Sequence, residues 1–582
     1  MYLYQYMVPA QHLGVSTFTL FYLKGETRMV RRSRNFRWSA LVCGIIAAVV
    51  IFGFWYILQP AMNIKNAEFG WFLFGCTAIV AGMAFLEWLY HDSHYGSGIS
   101  KFQIILWILP VVMLLYMLIG ALSGAPIGNS ETYKDIITVR NGNFSEDFDN
   151  LEDDNEFVFM DLDTAQRLGD RVLGSVPNAT WYEIDNEYNL ITYQGRQYRL
   201  SPLKYGGLFK YGKAKNTGIP GYVLVDCKTS EARFVKTKEP IFYSPSAYFG
   251  HDLRRHLRSQ FPDLAFNSMF MEIDEEGTPF WVIAVTEPNA GFWGAREVTK
   301  FILTNASTGE SKLYGLDEKP EWIDHVQGLD YMMQVLNWHL RYVNGWWNPS
   351  STGVLKTTYE YAKGNSSSSN NQEPNFFGYT SFVNSEGQVM VFTGITPVNR
   401  TESNVGFMTI NATTGEYTYY DLPGAEESSS QVVVEGLVQN YGYQATFPFM
   451  VNIGGHPTYL MNMKDKSGLI QRYAMVNYEN YSQAFVGNSF EDTLEGYLKA
   501  IGGSFVHQVE ETKEISFISG NIEEKYEASI EGTTYYYYII DGELYRASIM
   551  INEMQVAYKT GDNVKISYTD GEIRLVTKIE KE

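Results

Sequence analysis

The chain has 582 residues, enough for several domains, and a formal charge of −20 that is unevenly spread. Residues 1–128 hold 8 Lys/Arg against 4 Asp/Glu, a net of +4, and the remainder holds 37 against 61, a net of −24. So acidic a remainder argues against binding nucleic acid, whose phosphates need a basic face, and against docking on an anionic lipid surface.

Residues 1–28 show neither a clear hydrophobic period nor a charge pattern, whereas Met29 followed by VRRSRNFRW reads as an ordinary membrane-protein N-terminus, so translation is expected to start at Met29. The cluster Arg28, Arg31, Arg32, Arg34 and Arg37 precedes an apolar, uncharged run at 38–58. A second run, 70–90, is apolar except for Glu87, and a third, 102–122, carries no charge. Each is long enough to cross a bilayer as a helix. The first could be a cleaved signal peptide, but it is long, lacks a small-residue cleavage site and runs into Gln59-Pro60, which favours an uncleaved anchor. Arginines before the first span keep residues 1–37 cytoplasmic, and three crossings then put everything after about Ser123 outside the cytoplasm, in the plasma membrane's exterior compartment. Cys43 and Cys76 fall in spans, which leaves Cys227 alone in the soluble part, with no partner for an internal disulfide.

Glu87 with His91-Asp92-Ser93-His94 is the one polar constellation in the spans. A carboxylate there is a functional hypothesis, and His-x-x-His beside Asp has metal-ligand character. The competing reading, which we adopt, is a carboxylate near a helix end followed by a cytoplasmic loop, so no metal, no cofactor and no catalytic residue is expected. Pro110 is expected to kink the third span.

Residues 124–160 read as a linker; the carboxylates of 141–156 have no EF-hand spacing and read as a solvated acidic stretch rather than a calcium loop. Beyond it one signature recurs: Asp226-Cys227-Lys228-Thr229-Ser230-Glu231, Asn305-Ala306-Ser307-Thr308-Gly309-Glu310 and Asn411-Ala412-Thr413-Thr414-Gly415-Glu416, with a degenerate fourth at Asn477-Tyr478-Glu479-Asn480. Each lies between strand-like runs, as in a hairpin whose Asp or Asn bonds its own backbone and whose Gly supplies φ > 0. A helix precedes each, over 164–174, 251–260, 324–344 and about 431–440. In the first, Ala165, Leu168 and Val172 make one stripe. The unit is helix–strand–strand–strand, in keeping with the 42 tyrosines.

These units resemble the PepSY module, a short helix and strands ending in an Asp-Ala-x-Thr-Gly-Glu turn. Asn305–Glu310 and Asn411–Glu416 match with Asn for Asp, and the first copy keeps Asp226 but puts Ser230 where the family has Gly. The resemblance covers about 160–500 as modules at 161–240, 241–320, 321–424 with an inserted loop, and 425–503. It implies a binding or inhibitory part, with no catalytic residues to carry over. The layout also resembles Gram-positive envelope proteins sometimes labelled cell-shape determinants. In the third module, 363–373 (KGNSSSSNNQE) reads as a flexible loop, and Gly345-Trp346-Trp347-Asn348-Pro349 as a helix stop with tryptophans packed on the core.

Residues 489–501 read as a helix capped by Ser489. From 504 to 582 short strands and the hairpin signals Asp541-Gly542 and Asp570-Gly571 point to a small barrel of OB or SH3 type. Ser201-x-x-Lys204 and Lys559-Thr560-Gly561 resemble penicillin-binding motifs, but Ser201 follows a strand rather than opening a helix. His251 and His256 flank Arg254 and Arg255 on a helix whose expected character is a solvated basic face. The sequence thus predicts an α+β membrane protein: three N-terminal transmembrane helices, tandem helix-on-antiparallel-sheet modules and a C-terminal barrel. It is expected to bind or scaffold in the bacterial envelope, integral to the membrane, with an envelope or membrane protein partner and no nucleic acid. Regulation of an extracytoplasmic peptidase is the alternative, and an envelope hydrolase the second.

Overall fold

A computed structural model describes residues 39–95, 98–151, 160–347, 355–357, 378–384, 386–397, 403–502, 515–530, 533–569 and 574–581. Met29, the arginine cluster, the 363–373 loop, the Asp570-Gly571 turn and the His94 side chain lie outside them. The chain forms two compact units, divided between Ala484 and Phe485.

The first unit begins with three helices long and apolar enough to cross a membrane: α1 (Ser39–Leu58), α2 (Ala67–Tyr95) and α3 (Lys101–Ser123). All three expected apolar helices are present, each within a few residues of its predicted limits. Ser100 and Gln103 cap α3 reciprocally, side chain to backbone, and the helix runs through Pro110 as one element. Glu87 is buried; its carboxylate accepts from Gln103 Nε2 at 2.8 Å and from Ser39 Oγ at 3.4 Å, so it joins the three helices rather than standing alone.

Of the residues expected to form a linker, 126–151 are instead packed on later elements. Helix Pro126–Lys134 lies against helix Leu329–Tyr342, where the Tyr133 ring meets Trp338 at 5.1 Å. Strand Val139–Asn141 then pairs in parallel with Glu416–Tyr420, and Phe148 stacks against Phe144 at 4.8 Å and meets Tyr420 at 5.4 Å. The Leu151 N–H donates to the Asn452 carbonyl, closing a strap over two later sheets.

Four sheets follow. The first is built on Arg196–Tyr205, Ile219–Asp226 and Ala232–Ile241, flanked by Tyr182–Ile184 and Asn189–Tyr193. The second is a meander of Ala265–Ile273, Pro279–Pro288, Arg296–Asn305 and Ser311–Gly315. The third centres on Val389–Pro397, Gly406–Asn411 and Glu416–Tyr420. The fourth centres on Phe449–Ile453, His456–Lys464 and Ile470–Asn477. Helices Leu162–Asp170, Leu253–Gln260, Leu329–Tyr342 and Glu427–Leu437 precede them in turn. One continuous core runs from Met160 to Tyr417, through the first three sheets. The first helix tightens into a 3-10 turn at Arg171–Ser175, so Leu173 rather than Val172 reaches that core.

The recurring turn has the same bonds at all four places. Oδ1 of Asp226, Asn305, Asn411 and Asn477 accepts the N–H groups two and three residues on, at 2.9–3.0 Å. The N–H of the next residue (Cys227, Ala306, Ala412 or Tyr478) donates to a carbonyl of the neighbouring strand, that of Gln197, Pro279, Val389 or Pro457. Gly309 and Gly415 have φ of +77° and +79°, and Ser230 adopts the same left-handed conformation at +58°.

The Trp346 and Trp347 rings lie against each other at 5.2 Å in a tilted arrangement, and Trp347 is 81% exposed. They do not pack on the core as expected, because Gly345 turns the chain at φ +85° as the helix ends.

In the second unit, helix Phe490–Ala500 is capped by Ser489 as predicted. Its six-stranded sheet runs Ile515–Asn521, Asn563–Thr569, Arg574–Lys581, Glu543–Ser548, Thr533–Ile540, Glu524–Ile530. The Asp541-Gly542 hairpin is present, with both residues at positive φ. The expected barrel is not closed among the described residues: its two edge strands follow one another in the chain but do not pair. The corner divides them, since Ile522 N–H bonds to Asp562 on one side and Glu523 N–H to Ile539 on the other.

Candidate binding cleft

Where the four sheets converge they leave a cleft of about 680 Å³. The helix start supplies Asp161 and Asp163. The loop after Tyr182–Ile184 supplies Asp185 and Glu187, and the start of helix Leu329–Tyr342 supplies Asp330. Lys464, only 4% exposed, bonds both Asp161 and Asp163, and Arg167 Nε reaches Asp163 at 3.0 Å. Burial alone would raise the Asp163 carboxyl; the bonds from Arg167 and Lys464 outweigh it and hold the group below the usual carboxylate range. Glu187 goes the other way, raised by burial and then by the charges of Asp185 and Asp330.

Arg199 lies in the lining, 5% exposed. Its guanidinium donates to the carbonyls of Met160 (Nε 3.2 Å, Nη2 3.0 Å) and Tyr188 (3.3 Å) and to Ser381 Oγ (3.2 Å). Four of its five N–H donors are therefore committed, tying the first sheet to the third. Burial lowers its proton affinity.

Behind the wall sits a buried polar cluster. His325 lines the cleft with its ring stacked on Phe270 at 4.4 Å, and its Nδ1 lies 3.6 Å from Glu272. Asn189 Nδ2 donates to Glu272 at 3.2 Å, and the Thr192 N–H donates to Asp324 at 2.7 Å. Burial, then the Asp324 charge, pushes Glu272 well above the carboxylate range. Burial pushes His325 down to about 4, with Lys319 adding to it, and takes Asp324 up to about 6 against the Thr192 bond. His325 is therefore neutral at neutral pH, and burial disfavours the charged form of Glu272 beside it. The pull of Asp324 on the first sheet also explains why the predicted 324–344 helix starts only at Leu329.

None of these residues was singled out in the sequence. Arg199 stands in a run buried on both faces of its strand, and an arginine at such a position was the available signal. Ser201 is in that same strand, fully buried, its Oγ donating to the Asp185 carbonyl at 2.8 Å. Lys204, three residues on, lies 3.8 Å from Asp185, so the two do not form the helical Ser-x-x-Lys arrangement. Lys559 belongs to a turn in the other unit, its N–H bonded to Asp562. No group of three or more His, Cys, Asp or Glu side chains is placed to hold a metal ion among the described residues.

The expected solvated face around His251 and His256 is an interface. Arg254 pairs with Glu68 at 3.2 Å; Arg255 sits 4.0 Å over the Tyr56 ring and donates to the Tyr56 carbonyl; Arg258 donates to the Gln59 carbonyl. Arg296 donates to the Lys65 carbonyl at 2.9 Å. Between them Trp293 enters a notch where a Cβ on Gly70 or Gly120 would come within 2.5–2.7 Å of the indole. Thus the second sheet is seated on the α1–α2 connection and the end of α3, and shares their side of the bundle. No protein-family model matches this chain, and no curated protein matches it either.

Proposed function

We propose that this is a membrane-anchored extracytoplasmic binding and scaffold protein of the bacterial cell envelope, built from PepSY-like units and not itself an enzyme. The observation that carries the reading is the seat: a tryptophan in a glycine notch and four arginines on helix-end groups fix the sheets, and the cleft between them, to the spans. Such a link suits a part that holds a partner at a set place beside the bilayer. The fourfold turn, with the same N–H groups bonded each time, supports the PepSY-like assignment. The basic cluster before α1 supports an exterior location for the sheets.

Two experiments test this. Val432, 67% exposed, is changed to Cys, and intact cells are treated with a membrane-impermeant maleimide. Buried Cys227, its thiol pushed up to about 12 chiefly by burial, stays silent. Labelling without permeabilisation is expected; labelling only after lysis would overturn the extracytoplasmic reading. A photo-crosslinking residue at Glu187 is then expected to capture one envelope protein. If that protein is a peptidase, the regulatory alternative takes over.

A further inference from the structure

An exposed apolar patch lies beside the ends of the three apolar helices. Helix Leu208–Ala214 leaves Leu208 45% and Phe209 89% exposed, and the neighbouring loop leaves Tyr248 37% and Phe249 57% exposed. The two are joined beneath by buried Tyr211, whose ring lies 5.5 Å from Tyr248 and 6.4 Å from Phe249 and whose hydroxyl is 3.3 Å from His251 Nδ1. The patch has a fixed level. Arg255 donates to the Phe249 carbonyl at 2.8 Å and, with its other nitrogen, to the carbonyl of Tyr56, two residues before α1 ends. Phe249 is therefore within one guanidinium of a transmembrane helix end, the depth at which aromatic side chains gather at a bilayer surface. Phe249 also holds φ +57°, a costly backbone for a bulky residue that is left exposed.

Charge accompanies the rings. Lys213 lies one turn from Phe209, so ring and ammonium emerge on the same side of the helix, and Lys215 follows; both are exposed, and among the described residues neither has a carboxylate within ion-pair distance. Lys210 is taken by Glu183 at 3.6 Å. Lysines on long stems beside exposed rings suit a phosphate-bearing headgroup layer, with the stems along the apolar part and the ammonium groups at the phosphates.

Resting on the reading of α1–α3 as spans, we infer that Leu208, Phe209, Tyr248 and Phe249 are immersed in the headgroup layer of the leaflet from which α1 emerges, with Lys213 and Lys215 on lipid phosphates. The patch fixes the first sheet to the membrane independently of the seat beneath the second, although the acidic remainder as a whole is repelled by anionic lipid.

The test uses the full chain in lipid nanodiscs, with Cys43→Ala and Cys76→Ala and a nitroxide on Phe209→Cys, Tyr248→Cys or Val432→Cys. Labels at 209 and 248 are expected to collide with oxygen several-fold more often, and with a water-soluble nickel chelate several-fold less often, than the label at 432. Adding Lys213→Glu and Lys215→Glu is expected to move the 248 label toward the aqueous values. If the 209 and 248 labels match 432, the inference is overturned. If the chain fails to enter nanodiscs at all, it is the spans that fall.

Discussion

At the scale of single residues, two positions turn backbone or charge into a measurable free energy. Ser230 occupies the left-handed conformation that Gly309 and Gly415 hold in the sister turns. A Cβ there costs about 1–2 kcal/mol, partly offset by the extra freedom glycine brings to the unfolded chain. Ser230→Gly is therefore expected to stabilise the first sheet by about 0.5–1 kcal/mol, seen as a higher melting temperature of the detergent-solubilised protein. Gly309→Ala should do the reverse, because its Cβ would also meet the Tyr243 ring at 2.5 Å. The second position is Asp324, whose pKa is raised to about 6 when folded against about 3.9 unfolded. Folding then takes up a proton between those values, so this group's contribution to stability increases as pH falls from 7 to 4. His325, depressed to about 4, works in the opposite direction and is unchanged in Asp324→Asn. Chemical unfolding of both proteins across that range should show the wild type gaining on Asp324→Asn by on the order of 2–3 kcal/mol toward acid. A constant difference would mean that Asp324 titrates normally.

At the scale of elements, the close approach at the notch adds to the arginine contacts in joining spans and sheets. Exposed ion pairs such as Arg254–Glu68 contribute little singly. The indole of Trp293 instead fills a space that exists only because Gly70 and Gly120 lack side chains, and it donates from Nε1 to the Ile64 carbonyl at 3.3 Å. Gly120→Val should expel the ring while leaving α3 helical. The Met62 N–H, bonded to the Pro262 carbonyl at 2.7 Å, reports on the join from the other side of the α1–α2 connection. Its hydrogen exchange is expected to rise at least tenfold in Gly120→Val, which corresponds to about 1.4 kcal/mol of lost protection. Amides in the second sheet, such as Val282 in its fully buried centre, should keep the wild-type rate.

At the scale of the whole molecule, what the sequence disclosed and what it hid divide by the range of the interaction. The spans were legible because twenty apolar residues have few other uses, and the four turns because an Asx bond reaches only two or three residues along the chain. Arg199, the Glu272–His325 pair and the glycine notch were not, since each takes its meaning from a residue on another sheet or helix. The strap is the extreme case: Gly454 N–H donates to Asn150 Oδ1 across 304 residues, and acidic composition alone read as solvated linker. Its geometry has a consequence for how the first unit holds together. The chain leaving the membrane crosses the third sheet at Val139–Asn141 and reaches the fourth at Asn150 and Leu151 before it enters the first, so one segment fastens late sheets to early chain. Phe148 is the fastening point, set against Phe144, Phe407 and Tyr420, while its carbonyl accepts from Asn452 Nδ2 at 2.9 Å. Phe148→Ala removes the ring but keeps that carbonyl bond, and at a half-buried site should cost about 2 kcal/mol, below the 3–5 typical of a core phenylalanine. The loss should appear as strap release before global melting: limited proteolysis at 144–151 is expected at temperatures where the wild type resists, with the second sheet still protected. Cleavage appearing only together with global unfolding would show that the strap is held by its backbone pairing and not by its aromatic ring.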